Sequence, residues 1–230
     1  MESPISILYT ASTWILPALL AITLHEAAHG WMAKKLGDDT AYNAGRVSFN
    51  PLRHVDPMGT IAIPALLLAM NAPFLFGYAK PVPVDFYQLR PRRLGMILVA
   101  LAGPGINLLQ ALLCGLLFHL TDFFPVAAGE WFALNLNNAL MLNVLLAVFN
   151  MLPLPPLDGG RVAVGLLPRT PARMLSTLEP YGIFIVLGLF YLSHIMEQTF
   201  GPSANLMSTL LLVPADFIIN SILSLTGNHA

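Results

Sequence analysis

Apolar residues gather in long runs separated by short polar stretches, and the run lengths set the expected architecture. Crossing the hydrocarbon core of a bilayer takes about 20 apolar residues in a helix. Five segments qualify: roughly 6–34, 94–120, 134–152, 177–197 and 203–225. A sixth run, Gly59 to Ala72, is shorter, with Pro64 inside it and Pro73 after it. A run of about 10–14 apolar residues is more often re-entrant or interfacial than spanning, and internal proline favours a broken element. Ahead of it, "AYNAGRVSFNPLRHVDPMG" holds Val47, Phe49, an Asn50-Pro51 break and Asp56-Pro57-Met58-Gly59. That pattern predicts a short hairpin or extended strand with turns over 41–56. "GYAKPVPVDF" predicts an edge strand over 78–86, since Pro81 and Pro83 are tolerated only at a sheet edge. The predicted fold is an all-α polytopic membrane protein of five transmembrane helices, with a re-entrant segment and a small membrane-associated β-hairpin or edge strand. The chain shows no internal repeat and no low-complexity segment.

Composition agrees. The 230 residues are 56% hydrophobic and 10% charged, with mean hydropathy +0.70, whereas soluble domains carry about 25% charged residues. A net charge of −1 gives no reason to expect nucleic acid as a partner. Cys114 is the sole cysteine, so no internal disulfide forms and a cysteine metal site is not expected. The first segment lacks a basic start, so no cleavable signal peptide is expected.

Charge placement supplies a topology. The 11 basic residues fall in three groups. Lys34, Lys35, Arg46 and Arg53 follow the first span; Lys80, Arg90, Arg92 and Arg93 precede the second; Arg161, Arg169 and Arg173 follow the third. If 59–72 dips in and returns, all three groups share one side, which the positive-inside rule makes cytoplasmic. The expected arrangement is multi-pass in the inner (plasma) membrane, N-terminus outside, C-terminus and basic loops cytoplasmic.

Against this apolar background, His25-Glu26-Ala27-Ala28-His29 is conspicuous. On a helix the i, i+4 spacing puts both imidazoles on one face, about a turn apart, within reach of one ion. Neutral imidazole is a good zinc ligand, and the adjacent Glu26 can act on water as a general base. Two chance polar residues at a helix end are the plainer reading, but ionisable groups at membrane depth are costly and usually functional. Catalytic zinc usually has three protein ligands. Candidates for the third are His54, Asp56, Asp85, His119, Asp122, Asp158, Glu179 and His194. Asp158 stands out in "FNMLPLPPLDGGR": it follows a proline-broken span end, precedes two glycines, and falls on the same membrane side as His25 and His29. Without the histidine motif it would read as an ordinary turn aspartate.

"HEAAH" on the first span paired with "NMLPLPPLDGGR" on a later one resembles the site-2 protease family of zinc intramembrane metalloproteases, in its compact bacterial subgroup without a PDZ domain. The likeness extends through "GRVSFNPLRHVDPMGT", "AKPVPV" and "LAGPGINLL", over roughly 20–165. It implies one zinc per chain on His25, His29 and Asp158, with Glu26 as general base. It also matches Asn150 to an asparagine that polarises the scissile carbonyl or holds the oxyanion. Read alone, Asn150 suits an oxyanion donor and a helix–helix hydrogen bond equally. Asn107, in "AGPGIN", fits tight packing beside the motif helix. His54 and Asp56 read first as turn residues.

The implied organisation is one intramembrane metalloprotease domain over 1–230, with a catalytic core at about 6–165 and a C-terminal helical pair at about 175–225. The implied substrate is a transmembrane protein or peptide in the lipid bilayer, cut in regulated intramembrane proteolysis or signal-peptide remnant removal. A substrate helix must unwind first, and the 41–56 hairpin or the 78–86 segment is expected to pair with it by strand addition. The alternatives are a zinc-binding membrane transporter, which needs no base at Glu26, and an inactive membrane scaffold, which needs no intact motif. The sequence does not set the oligomeric state.

Overall fold

The computed structural model describes residues 4–70 and 77–228. Among them, five helical stretches are long and apolar enough to cross a membrane: Leu8–Lys35, Arg92–Phe123, Val126–Asn150, Arg169–Phe200 and Leu206–Leu225. The chain is a multi-pass membrane protein. The expected spans match these except at their ends. The third begins well before 134 because Pro125 starts the helix and Glu130 is carried on its exposed side.

Helix α1 is Pro4–Lys35 and closes on Lys34 and Lys35, cations that suit a helix C-terminus. After it come the short α2 (Thr40–Asn43) and α3 (Ile63–Ala69). Helix α4 (Arg92–Leu117) follows Pro91, and α5 (Val126–Asn150) follows Pro125. The chain continues through α6 (Asp158–Leu166), α7 (Arg169–Ser176), α8 (Gly182–Phe200) and α9 (Leu206–Leu225).

Helices α1, α4 and α5 pack mutually, α6 lies on α4, and α9 covers α5. Ala111, Cys114, Leu136, Leu140, Val144, Ala215 and Ile222 form the largest apolar core between α4, α5 and α9. Helix α8 packs on α9, meets the proline turn before α6 at Gly182 and sets Phe190 near Phe149 of α5, and it leaves Phe184, Tyr191 and Phe200 exposed. An outer surface this apolar is stable only against lipid. Helix α4 runs antiparallel to α1: His29 pairs with Val99 and Ala21 with Asn107. The Arg90 N–H also donates to Leu36 O at 2.9 Å, so segment 36–91 leaves and rejoins the bundle at one end.

The expected β-hairpin does not form; among the described residues there is no strand. Segment 41–56 instead holds the end of α2, a turn at Gly45 (φ +65°) and a 3-10 turn at Pro51–Arg53. The cause is side-chain capture of the main chain. Asp38 Oδ1 accepts the Thr40 N–H, Asn50 Oδ1 that of Leu52, and Asp56 Oδ1 those of Met58 and Gly59. Such local bonds compete directly with a ladder. The expected edge strand fails for a related reason. Pro81 and Pro83 have no N–H, and the neighbouring donors go elsewhere: Lys80 to His54 O, Val82 to Glu26, Asp85 to Asp38. The short apolar run forms a π-helical turn at Pro57–Ala62 that passes into α3 at the proline; positions 71–72 of the expected re-entrant segment lie outside the described residues.

Candidate metal centre

The centre lies where α1, α4 and α6 meet. His25 and His29 sit one turn apart on α1, and both are buried. Asp158 opens α6, also buried. The turn before it brings the backbone of Met151, Leu152, Leu154 and Pro155 so close that a Cβ on Gly159 or Gly160 would overlap main-chain atoms. The two glycines therefore let the proline-rich turn fold tightly onto the start of α6 and set the carboxylate beside α1.

Both imidazoles are oriented from behind. Nδ1 of His25 lies 2.5 Å from Asn107 Oδ1, and Nδ1 of His29 lies 2.7 Å from Val99 O. These oxygens only accept, so each Nδ1 carries the hydrogen and each Nε2 of the neutral ring keeps a lone pair. The Nε2 atoms are 3.0 Å apart and lie 3.2 Å and 3.3 Å from Asp158 Oδ2. Three lone pairs thus converge, and Asp158 Oδ2 is a buried oxygen without a hydrogen-bond partner among the described residues. Such a cluster repels itself unless a cation sits against it. Ligands at about 2.0–2.1 Å on a tetrahedral zinc ion are about 3.3–3.4 Å apart, close to this triangle. The donors, two imidazole nitrogens and one carboxylate oxygen, suit zinc.

Glycine at 103 lets α4 approach this closely. A Cβ there would fall 2.6 Å from Cε1 of both His25 and His29. Glu26, half-buried, is on the same turn of α1, and its Oε2 accepts the Val82 N–H at 3.0 Å. Asn150 ends α5 and donates through Nδ2 to Leu146 O of its own helix at 3.0 Å.

Of the predicted site residues, the structure brings His25, His29 and Asp158 together, sets Glu26 on the adjoining face of α1, and leaves Asn150 bonded within α5. The other candidates for a third ligand stand elsewhere. His54 is buried and donates through Nε2 to Ser48 O, while Asp56 caps the π-helical turn. His119 bonds Thr226 O, and Glu179 pairs with Arg161. Sequence reasoning missed Asn107 as the partner of His25; the buried amide inside "AGPGIN" was the available signal. It also missed Asp38 and Arg46. Asp38 binds Thr40 and Asp85, and Arg46 reaches Arg53 O and Lys80 O, so these two buried charges pin the loops across the end of α1.

Residues 124–192 match Peptidase family M50. The Bacillus subtilis protein named "Putative zinc metalloprotease YwhC" is 37% identical over 180 residues, covering 76% of this chain and 78% of that protein. Proteins of the same description named Rip2 are similar too. That of Mycolicibacterium smegmatis is 32% identical over 174 residues, covering 74% of this chain and 63% of its own length. That of Mycobacterium tuberculosis is 31% identical over 183 residues, covering 80% and 68%. No solved structure matches the chain. With likeness of this degree over most of its length, the chain belongs to peptidase family M50, the site-2 proteases.

Proposed function

We propose that this chain is a zinc-dependent intramembrane endopeptidase. It holds one zinc through His25, His29 and Asp158 and cuts peptide bonds within or near the transmembrane segments of membrane-anchored proteins. Regulated intramembrane proteolysis and removal of signal-peptide remnants are the processes such cutting serves. The carrying observation is the triangle of Nε2, Nε2 and Oδ2 lone pairs, 3.0–3.3 Å on a side, buried among apolar helices. The zinc metalloprotease names of the relatives support the same reading.

When bound, zinc would supply Lewis acidity to water and to the scissile carbonyl. The protein's residues do the rest. Glu26, with Oε2 held by the Val82 N–H, takes the proton of the attacking water at Oε1 and returns it to the leaving amine. Asn150 spends one Nδ2 hydrogen on Leu146 O and offers the other to the developing oxyanion. The ladder-free segment 77–85, which crosses beside Glu26, offers carbonyls to an unwound substrate main chain. The basic loops lie on the cytoplasmic side, the N-terminus outside, and Pro57–Ala62 with α3 enters the membrane without crossing it.

The test is zinc analysis and cleavage of a membrane substrate in liposomes. Wild-type protein should carry about one zinc, Asp158→Ala should lose most of it, and Glu26→Gln should keep it while losing cleavage. Full zinc in Asp158→Ala, or wild-type cleavage by Glu26→Gln, would refute the proposal.

A further inference from the structure

Three α5 asparagines are buried, and one of them reaches the metal centre through another side chain. Asn143, 2% exposed, accepts a hydrogen bond at Oδ1 from Asn107 Nδ2 (2.6 Å) and donates from Nδ2 to Ala139 O (2.9 Å). Asn107, 0% exposed, also donates to Ala21 O at 3.3 Å, and its Oδ1 faces His25 Nδ1. The relay thus runs Ala139, Asn143, Asn107, His25 and joins α5, α4 and α1.

We propose that Asn143 is a positioning residue of the metal centre, acting through Asn107 to fix the tautomer and ring angle of His25. The argument is one of donors and acceptors. A main-chain carbonyl only accepts, so Ala139 O fixes which end of the Asn143 amide is the nitrogen, and the Asn143 oxygen must face Asn107. Ala21 O and Asn143 Oδ1 together then fix the Asn107 nitrogen, leaving its oxygen toward His25. The hydrogen of His25 goes to Nδ1, and Nε2 stays bare for the metal. With the Asn107 amide turned over, its N–H would face His25 Nδ1, the imidazole hydrogen would move to Nε2, and that hydrogen would fill the place of the ion. Ala21 O alone, at 3.3 Å, is a weak anchor; Asn143 makes the orientation unambiguous. Partners behind metal-bound histidines set ligand affinity, and their loss typically costs about 10–100-fold.

The inference rests on the reading that His25, His29 and Asp158 hold zinc, and the experiment separates the two. Zinc affinity is measured by chelator competition in detergent-solubilised full-length protein, and ligand geometry by the visible spectrum of the cobalt-substituted form. Asn107→Leu should weaken zinc binding about 10–100-fold and Asn143→Leu about 10-fold, each with an altered cobalt spectrum. The double variant should bind no more weakly than Asn107→Leu, because both act along one chain. Asn138→Leu is the control: Asn138 is buried on the same helix but its side chain donates to Thr13 O, away from Asn107 and His25, and its loss should leave affinity unchanged. If Asn143→Leu fails to fold, Asn143→Ser breaks the same relay, its hydroxyl satisfied by its own helix, and should show the same loss. Unchanged affinity in the Asn143 variants, an equal loss in Asn138→Leu, or additive losses in the double variant would overturn the relay alone. A wild-type protein that binds no zinc would overturn the metal reading and the relay with it.

Discussion

The main-chain N–H of Val82 donates to Glu26 Oε2 at 3.0 Å, across 56 residues of sequence. The bond ties segment 77–85 to the motif helix and holds one oxygen of the carboxylate, so the other has a defined direction. Proline on either side of Val82 removes competing donors, and the Val82 amide is left for this contact.

Val82→Pro deletes that N–H, whereas Val82→Ala keeps it and loses only side-chain packing. We expect Val82→Pro to lower kcat by about tenfold, as for a misplaced general base. Val82→Ala should stay within about threefold of wild type, and zinc content should be unchanged in both. Equal rates for the two variants would show that the N–H does not orient Glu26.

Glycine at 103 gives a sharper steric test, because its missing side chain is where the imidazoles lie. Gly103→Ala places a methyl against both His25 and His29, whereas at Gly105, on the same helix, an added Cβ would meet nothing within 4 Å beyond its own stretch of helix among the described residues. Gly103→Ala should lose most bound zinc and all measurable cleavage. Gly105→Ala should keep both and gain about 0.5–1 kcal/mol of helix stability. Metal analysis of the two purified proteins decides it, and full zinc in Gly103→Ala would contradict the close approach of α4.

The contrast between these residues explains what could be read from the chain. Spans were legible because membrane crossing imposes a length on an apolar run, and that length is written locally. His25, Glu26 and His29 were legible because helical periodicity fixes their geometry, and Asp158 because a proline break and two glycines mark a turn. The hairpin was misread because strand-like residues such as Val47 and Phe49 lie among Asp38, Asn50 and Asp56, whose side chains take the main-chain donors first. Val99 O and the Val82 N–H are main-chain groups with no signature in residue type. Asn107 and Asn143 become partners only when three helices assemble.

Asp38 carries the loops over the centre. Fully buried, it accepts from the Thr40 N–H and hydroxyl through Oδ1 and from the Asp85 N–H through Oδ2. Asp38→Ala orphans these donors and should cost about 3 kcal/mol, since hydrogen bonds to a charged acceptor are the strong ones. Asp39→Ala, next to it, removes an exposed carboxylate that makes no capping bond and should be near neutral. Thermal unfolding in detergent and limited proteolysis around Tyr87 compare the two. Equal stability of both variants would remove Asp38 from its role as anchor.

The last prediction concerns topology. Helices α1 and α4 are antiparallel, and the Arg90–Leu36 bond ties the ends of segment 36–91 together. A chain that leaves and rejoins a bundle at one end crosses the membrane an even number of times in between, or not at all. The longest helical stretch described there, the Pro57–Ala62 turn running into α3 at Ile63–Ala69, is still short of the length of about 20 residues needed to span. Both halves of the segment should therefore be cytoplasmic, with the basic residues that flank them. Single cysteines at Leu52 and Tyr87, 79% and 78% exposed, test this in a Cys114→Ser background, with Phe123, 82% exposed between α4 and α5, reporting the other face. In intact cells, an impermeant thiol reagent should reach Phe123→Cys and spare Leu52→Cys and Tyr87→Cys; in inverted vesicles the pattern should reverse. Labelling of Leu52 and Tyr87 from opposite faces would demand a full crossing between them. It would also put the C-terminal ends of α1 and α5 on different sides, where His29 and Asp158 could not share one ion.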